Sequence, residues 1–243
     1  MRTTRIYHPG NYKTKDVITL SPEASHHIVT VLRMPTGASI TLFNGEQREC
    51  QGVIVTAHKK HAEIEILNDH HINRESPCHI HLAQGIAKGD KMEWIVQKAT
   101  ELGVAEITPV FTRHGAVKQE KARFEKKWQQ WQSIALNAAE QSGRTKIPVI
   151  HAPCDFESFI EQSKTASGYI LDPYASFSFK RTLPSSLTST TLLIGPEGGF
   201  HPDEIKNANS NQYTPISIGP RILRTETAAI TALSILQALA GDL

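Results

Sequence analysis

The sequence predicts an α/β protein with two domains, a small β-rich domain followed by a mostly parallel sheet covered by helices. Short alternating runs such as AEIEIL (62–67) fill the first third of the chain and indicate half-buried strands. The later two thirds alternate apolar runs of strand length with stretches of helical period, which is typical of a parallel sheet with helices on both faces. The polar stretch NDHHINRESP (68–77) has no periodicity, ends in proline and marks the boundary. We therefore expect a first domain at 1–70, a linker at 71–77 and a second domain at 78–243.

The first domain is predicted to be a small β-barrel or sandwich with one helix. Val17–Leu20 has the composition of a strand, and PEASHHIVTVL (22–32) has the spacing of a short helix. Asn44 and Gly45 form a hairpin signal, because both residue types tolerate a positive φ. The strands on either side of that turn are expected at 38–43 and 46–56.

The second domain is predicted from strands and amphipathic helices in alternation. Asp90–Leu102 places its apolar residues on one helical face and ends at Gly103. A second stripe at helical spacing (Phe124, Trp128, Trp131, Ala135 and Ala138) is read as core rather than as a base-stacking platform. A final helix is expected at 225–239. Strands are expected at 79–86, 104–111, 147–150, 168–171, 191–194 and 214–218.

Composition excludes several classes of protein. The chain has 243 residues, a formal net charge of +2 and 39% hydrophobic residues, so it is expected to fold. It contains no apolar run long enough to span a membrane, and its first residues lack a secretory signal. Three widely spaced cysteines favour a reduced, cytoplasmic protein. Because no cysteine pair has C-x-x-C spacing, we predict no metal site despite the twelve histidines.

Two loops at predicted strand ends carry the functional signal. LLIGPEGGF (192–200) runs from a buried strand into a glycine turn, and SIGPRILRTETAAI (217–230) repeats the pattern with two arginines. Ligands bind at the carboxyl ends of strands in open parallel sheets. Glycines there let a ligand approach the backbone. Pro202 then begins a predicted helix, and Thr225 is a plausible N-cap of another. These loops predict one pocket.

Four motifs resemble the RsmE family, the bacterial 16S ribosomal RNA (uracil-N3) methyltransferases of the SPOUT superfamily. They are KGDKMEWIVQKATELGV (88–104), NAAEQSGR (137–144), LLIGPEGGF (192–200) and SIGPRILRTETA (217–228). HHIVTVLRMPTG (26–37) is similar to the PUA-like RNA-binding domain of that family. The resemblance covers essentially the whole chain.

This resemblance implies more than the patterns do. It implies a trefoil-knotted SPOUT methyltransferase domain, a PUA-like β-barrel, bound S-adenosylmethionine and a homodimer. The implied substrate is a uridine in the decoding region of 16S rRNA, in the small ribosomal subunit. The residues that match the cofactor loops are Leu171, Ile194, Gly195, Glu197, Gly198, Gly199, Ile218, Gly219, Leu223, Arg224 and Thr225.

The chemistry narrows the catalytic candidates. Uracil N3 carries a proton, so the site must favour the anion or remove that proton. Arginine cannot act as a base but stabilises developing negative charge. Arg144 and Arg224 lie in the motifs and are the candidates for that role. Glu197 is a further catalytic candidate, although a carboxylate near a helix start often caps backbone amides. Arg221 has two possible partners, a phosphate and Glu226.

RNA contacts are expected from basic side chains in both domains. The candidates are Arg2, Arg5, Arg33, Lys118, Lys121 and Arg123, although a solvated helix face explains the last three equally well. Two other functions remain open. One is an RNA-binding or ribosome-assembly protein that keeps the fold without catalysis, and the other is a SPOUT methyltransferase that modifies another RNA position.

Overall fold

A computed structural model describes residues 4–115, 121–163, 167–178 and 186–243, with only the backbone of 121–123. The chain divides into two compact units. The first comprises Met1–Glu75 and Ala139–Ile147, and the second comprises Ser76–Ala138 and Pro148–Leu243. Residues 139–147 therefore belong with the first unit, although the sequence predicted them in the second domain. The predicted linker also begins too early, because its first residue, His71, ends a strand.

The first unit is a five-stranded sheet with a short helical segment. Its strands are β1 (Arg5–Tyr7), β2 (Val17–Thr19), β3 (Ser39–Phe43), β4 (Arg48–Thr56) and β5 (Glu63–His71). The strand order is β1-β3-β4-β5-β2, with β1 parallel to β3 and the other pairs antiparallel. Among the described residues this path leaves β1 and β2 as edges, so the predicted barrel is not closed by strand pairing. Helix α1 (Pro22–His26) continues as a π-helical turn, His27–Val31, where one regular helix was predicted.

The turn between β3 and β4 is longer than the predicted Asn-Gly hairpin. Asn44 caps a four-residue loop, because its Oδ1 accepts from the backbone N–H groups of Glu46 (2.8 Å) and Arg48 (3.2 Å). The positive φ angles fall at Gly45 and Gln47, at 81° and 65°. Asn44 thus acts through its side chain, as asparagine commonly does in turns.

The second unit is a parallel sheet with helices on both faces, as predicted. Its strands are β6 (His79–Gly85), β7 (Glu106–Phe111), β8 (Val149–Ile150), β9 (Cys154–Asp155), β10 (Gly168–Leu171), β11 (Ser189–Ile194) and β12 (Tyr213–Ile216). The order is β12-β10-β11-β6-β7-β8, with β9 paired to β7, and every pair is parallel. The helices are α2 (Lys91–Glu101), α3 (Lys121–Ser142), α4 (Phe156–Gln162), α5 (Pro202–Ser210) and α6 (Thr225–Ala240).

Each face of this sheet has its own core. Leu192 of β11 packs in the cluster that contains residues of α2, α3 and α6, whereas Leu193 packs with residues of α4 and α5. Successive strand residues point to opposite faces, so consecutive apolar residues serve both layers. Trp131 is 1% exposed and Trp128 Nε1 donates to the carbonyl of Ile150 at 2.7 Å, which confirms the predicted core role of the stripe on α3.

No helix within the described ranges is long and apolar enough to cross a membrane. Cys50, Cys78 and Cys154 are free thiols, and the first two are buried.

Candidate active site

Three neighbouring strands end around one cleft. β10, β11 and β12 lie side by side and all point the same way, so Leu171, Ile194 and Ile218 come together at the carboxyl edge. This is the edge at which open parallel sheets bind ligands. The cleft has a volume of about 100 Å³, so a nucleoside-sized ligand would extend across its rim. Nine of the eleven predicted cofactor residues line it, namely Leu171, Ile194, Gly195, Glu197, Gly199, Ile218, Gly219, Leu223 and Thr225.

The glycine turn is tight for identifiable reasons. Gly199 has a φ of +68°, a conformation that favours glycine, and its N–H donates to the carbonyl of Pro196 at 2.9 Å. A side chain at Gly195 would lie 3.0 Å from the backbone of Gly199, so the turn closes on itself there. At Gly199 an added Cβ would meet nothing within 4 Å, so the backbone is accessible at that point.

Gly198 lies against the side chain of His114. A Cβ there would lie 2.8 Å from the Cβ of His114, and His114 Nδ1 lies 3.1 Å from the Gly198 carbonyl oxygen. Gly198 is also not among the described residues that line the cleft. Its missing side chain therefore makes room for His114.

Thr225 connects the second strand-end loop to the glycine turn of the first through hydrogen bonds. The Thr225 hydroxyl donates to the carbonyl of Gly195 at 2.6 Å and accepts from Gln84 Nε2 at 3.0 Å. Thr225 was predicted as an N-cap, but it is the first residue of α6, and Arg224 occupies the cap position without a side-chain cap bond. Gln84 is fully buried on β6 and also donates to Gly85 O at 2.9 Å. No local pattern in the sequence identifies Gln84 as part of the site.

Glu197 is held by α2 rather than by the helix that follows it. Its Oε1 accepts from Lys91 Nζ (3.0 Å) and from the backbone N–H of Lys88 (3.1 Å). Partial burial would raise the pKa of Glu197, but these hydrogen bonds outweigh it and the pKa lies below its ordinary value. The helix start is capped instead by His201, together with Glu204. Glu197 is thus an ion-paired carboxylate and a weak base.

The arginines of the second loop face solvent. Arg221 and Arg224 are exposed, and Arg221 lines the cleft, whereas Arg224 lies next to lining residues at the start of α6. The carboxylate of Glu226, proposed as one partner of Arg221, lies 3.8 Å from Lys91 Nζ.

Arg144 belongs to the first unit, although its motif was predicted in the second domain. Its side chain is 6% exposed and its guanidinium forms an ion pair with Glu75. Arg144 Nε also lies 3.4 Å from Glu75 Oε1, and the Arg144 carbonyl accepts from Arg5 at 3.1 Å. These contacts give Arg144 a structural role in joining residues 139–147 to the first unit.

The basic residues predicted to contact RNA differ in their exposure. Arg5 was predicted as an RNA contact, and its side chain is 10% exposed and pairs with Glu49 at 3.0 Å. Arg33 is exposed and has a φ of 52°. Arg2 and Lys118 lie outside the described residues, as do the side chains of Lys121 and Arg123.

Comparisons with known proteins agree with this architecture. A family model for the RNA methyltransferase domain matches residues 74–237, and a model for the RNA methyltransferase PUA domain matches residues 20–67. With the parallel sheet and its strand-end cleft, these matches define the class as an RNA methyltransferase with a PUA domain. A methyltransferase from Legionella pneumophila, solved with bound cofactor SAM, is 46% identical, with both chains covered fully and a TM-score of 0.96.

Named relatives identify the family. Ribosomal RNA small subunit methyltransferase E of Buchnera aphidicola (subsp. Schizaphis graminum) is 37% identical over 100% of this chain and 98% of its own. The enzyme of the same name from Neisseria gonorrhoeae, solved with S-adenosyl methionine, is 30% identical with both chains covered fully and a TM-score of 0.93. This chain belongs to the ribosomal RNA small subunit methyltransferase E family. The resemblance found in the sequence is confirmed.

Proposed function

We propose that this protein transfers a methyl group from S-adenosylmethionine to N3 of one uridine in the decoding region of 16S rRNA. The observation that carries the proposal is the cleft at the ends of β10, β11 and β12, in a chain whose relatives of known structure hold this cofactor. The family membership supports small-subunit rRNA as the substrate. The choice of N3 and of the decoding region comes from the resemblance of the sequence motifs.

The cleft fits the cofactor chemically. Leu171, Ile194 and Leu223 offer apolar surfaces suited to a flat purine ring, and the open backbone at Gly199 offers polar groups at close range. We assign cofactor contacts to the nine lining residues that the sequence predicted. When bound, the cofactor supplies a methyl group on a sulfonium, which is already activated for in-line displacement.

The task of the protein is then to position the uracil and favour its anion. Arg224 is our choice for the charged group, since it is exposed beside the cleft and arginine stabilises negative charge on an oxygen. Glu197 and Arg144 are less suited to catalysis, because each is committed to an ion pair. We assign Glu197 to hold the glycine turn against α2.

We further propose a trefoil knot in the second domain, a homodimer and action in the cytoplasm, where ribosomal RNA is modified. Exposed apolar side chains support a protein interface near the cleft, namely Tyr174 (83% exposed), Phe177 (59%) and Ile222 (75%).

The first domain, residues 1–70, would bind RNA, with Arg33 as a contact in its exposed surface.

The test is methyl transfer from labelled S-adenosylmethionine to small ribosomal subunits that lack this modification, with naked 16S rRNA in parallel. Digestion to nucleosides should release labelled 3-methyluridine. Label in another nucleoside would reassign the target atom. Cofactor binding without any transfer to either substrate would favour the RNA-binding or assembly role.

A further inference from the structure

A second, larger cavity lies near the opposite edge of the parallel sheet. It has a volume of about 760 Å³ and is lined by residues near the amino ends of β6, β7 and β11. His81 on β6, Glu106 at the start of β7 and His151 just after β8 converge there. One ligand atom of each lies within 4.8 Å of the others, so three separate chain segments bring their donors to one point.

The side chains around this point are held by one another. Glu106 contacts two histidines, with Oε2 at 2.6 Å from His151 Nε2 and Oε1 at 3.3 Å from His79 Nε2. The partly buried ring of His81 lies with its Nε2 at 2.8 Å from Thr108 Oγ1 and packs edge-on against Phe159. These contacts fix the ring of His81 with one nitrogen toward the threonine.

This cluster is separate from the cofactor cleft. His81 is opposite Thr191 in the β6–β11 ladder, whereas Gln84, beside the glycine turn, is opposite Ile194. Three residues along a strand correspond to about 10 Å. A ligand at the histidines would therefore not occupy the methyl-transfer site, and the inference does not rest on the proposed function.

We propose that His81, Glu106 and His151 form a binding site for a divalent transition-metal ion of the Zn²⁺ type. Two imidazoles and one carboxylate are a donor set that Zn²⁺ takes in proteins. Tetrahedral bonds of about 2.0–2.2 Å place donors roughly 3.3 Å apart, so the cluster needs to contract only by about 1.5 Å at its widest separation. The hydrogen bond between His81 Nε2 and Thr108 Oγ1 supplies an outer-shell contact of the kind that orients metal-binding histidines.

The fourth position has two possible occupants. His79 is available because its Nε2 already touches Glu106, and water from the cavity is the other donor. In either case the ion would join β6, β7 and the segment after β8. Such an ion binds the folded state alone, so it would raise the stability of the second unit.

The test uses the full-length protein after treatment with a chelator. Zn²⁺ is titrated in competition with a chromogenic chelator, and thermal unfolding is followed with and without Zn²⁺. We expect one ion per chain at the cluster. His151→Gln should weaken binding at least about tenfold, since even outer-shell partners are worth 10–100-fold. It should also abolish the shift in Tm, and Co²⁺ in the unaltered protein should show tetrahedral visible bands.

His58→Gln is the matched control, because His58 and His61 form a stacked pair with ring centroids 3.7 Å apart in the first unit. It should leave Zn²⁺ affinity unchanged. Equal affinity in His151→Gln and the unaltered protein, or loss in His58→Gln instead, would overturn the proposal. Because His81→Gln removes a ring that packs against Phe159, Glu106→Gln serves as the second variant, with its metal-free Tm as the check on folding. No Zn²⁺ binding at micromolar concentration would equally refute the site.

Discussion

Thr225→Val tests whether the hydrogen bond between the two loops preorganises the cofactor cleft. Valine keeps the shape of the side chain and removes the hydroxyl, which is 2.6 Å from Gly195 O and 3.0 Å from Gln84 Nε2. Gln84 retains the Gly85 carbonyl at 2.9 Å, but Gly195 O keeps only a long contact of 3.4 Å to Gln84. Thr225 is 4% exposed, so water does not readily replace the lost partner.

The expected losses of stability and of cofactor affinity follow from the hydrogen bonds that remain in the variant. One buried carbonyl that loses its main partner costs about 1–3 kcal/mol in the free energy of unfolding. Part of this cost appears as a less ordered glycine turn, and a loss of about 1.4 kcal/mol there raises the Kd for S-adenosylmethionine about tenfold. Calorimetric titration measures the Kd. Urea unfolding followed by tryptophan fluorescence measures the stability of the second unit, which contains Trp94, Trp128 and Trp131.

Thr190→Val is the control, near the start of β11, whereas Gly195 follows the end of that strand. Thr190 is also buried, and its hydroxyl donates one hydrogen bond to Ser167 O at 2.8 Å. It should cost a similar free energy of unfolding and leave the Kd within about twofold. If the two variants have the same Kd for S-adenosylmethionine, Thr225 stabilises the fold without ordering the cleft, and the reasoning fails.

Three further predictions concern single side chains. Gly199→Ala should cost about 1–2 kcal/mol of unfolding free energy in the urea assay, because a φ of +68° strains any L residue. The added Cβ meets nothing within 4 Å, so no steric clash contributes to this cost. An unchanged urea midpoint would refute the prediction. Arg224→Ala should lower kcat by at least about 100-fold with the cofactor Kd within threefold, and survival of turnover would remove Arg224 from the mechanism. Glu140→Gln should gain stability over the unaltered protein as pH rises. Burial raises the pKa of Glu140, and the hydrogen bond from the backbone N–H of Tyr7 at 2.8 Å offsets this only in part. The carboxyl group therefore stays protonated to a higher pH in the folded state than in the unfolded state. The unaltered protein thus loses stability as pH rises from the ordinary to the raised pKa. Because Glu140 is in the first unit, which contains no tryptophan, unfolding is followed here by circular dichroism, and urea midpoints at pH 4 and pH 7 that differ equally in both proteins would contradict this.

Local patterns predicted what local forces decide. The buried run before Gly195 is strand β11, and Pro202 begins α5 with acidic residues in its first turn, because proline and the helix dipole act within a few residues. The nine cleft residues were named by the resemblance of the motif loops to the family, whereas the strand-end argument alone predicted one pocket at this edge of the sheet. The two strand-end loops therefore revealed the cleft without any knowledge of the packing.

The errors arise where a partner is distant in sequence. Thr225 was read as a helix cap, but its partner Gly195 is 30 residues away. Arg144 pairs with Glu75, because residues 139–147 join the first unit, and no local signal announces that return. The residues of the cluster, His81, Glu106 and His151, are also distant from one another in sequence, so no spacing along the chain predicts that they meet.

The composition of the first unit also has a consequence for synthesis on the ribosome. Its strands are complete at Glu75, but Ala139–Ile147 emerges about 60 residues later, or roughly 3–12 s at ordinary elongation rates. During that interval the backbone N–H of Tyr7 and the guanidinium of Arg74 lack their acceptors at Glu140 and Gly143. During this interval β1 is an edge strand that lacks its contacts to residues 139–147. A chaperone that shields this edge would act before the final strands of the second unit are synthesised.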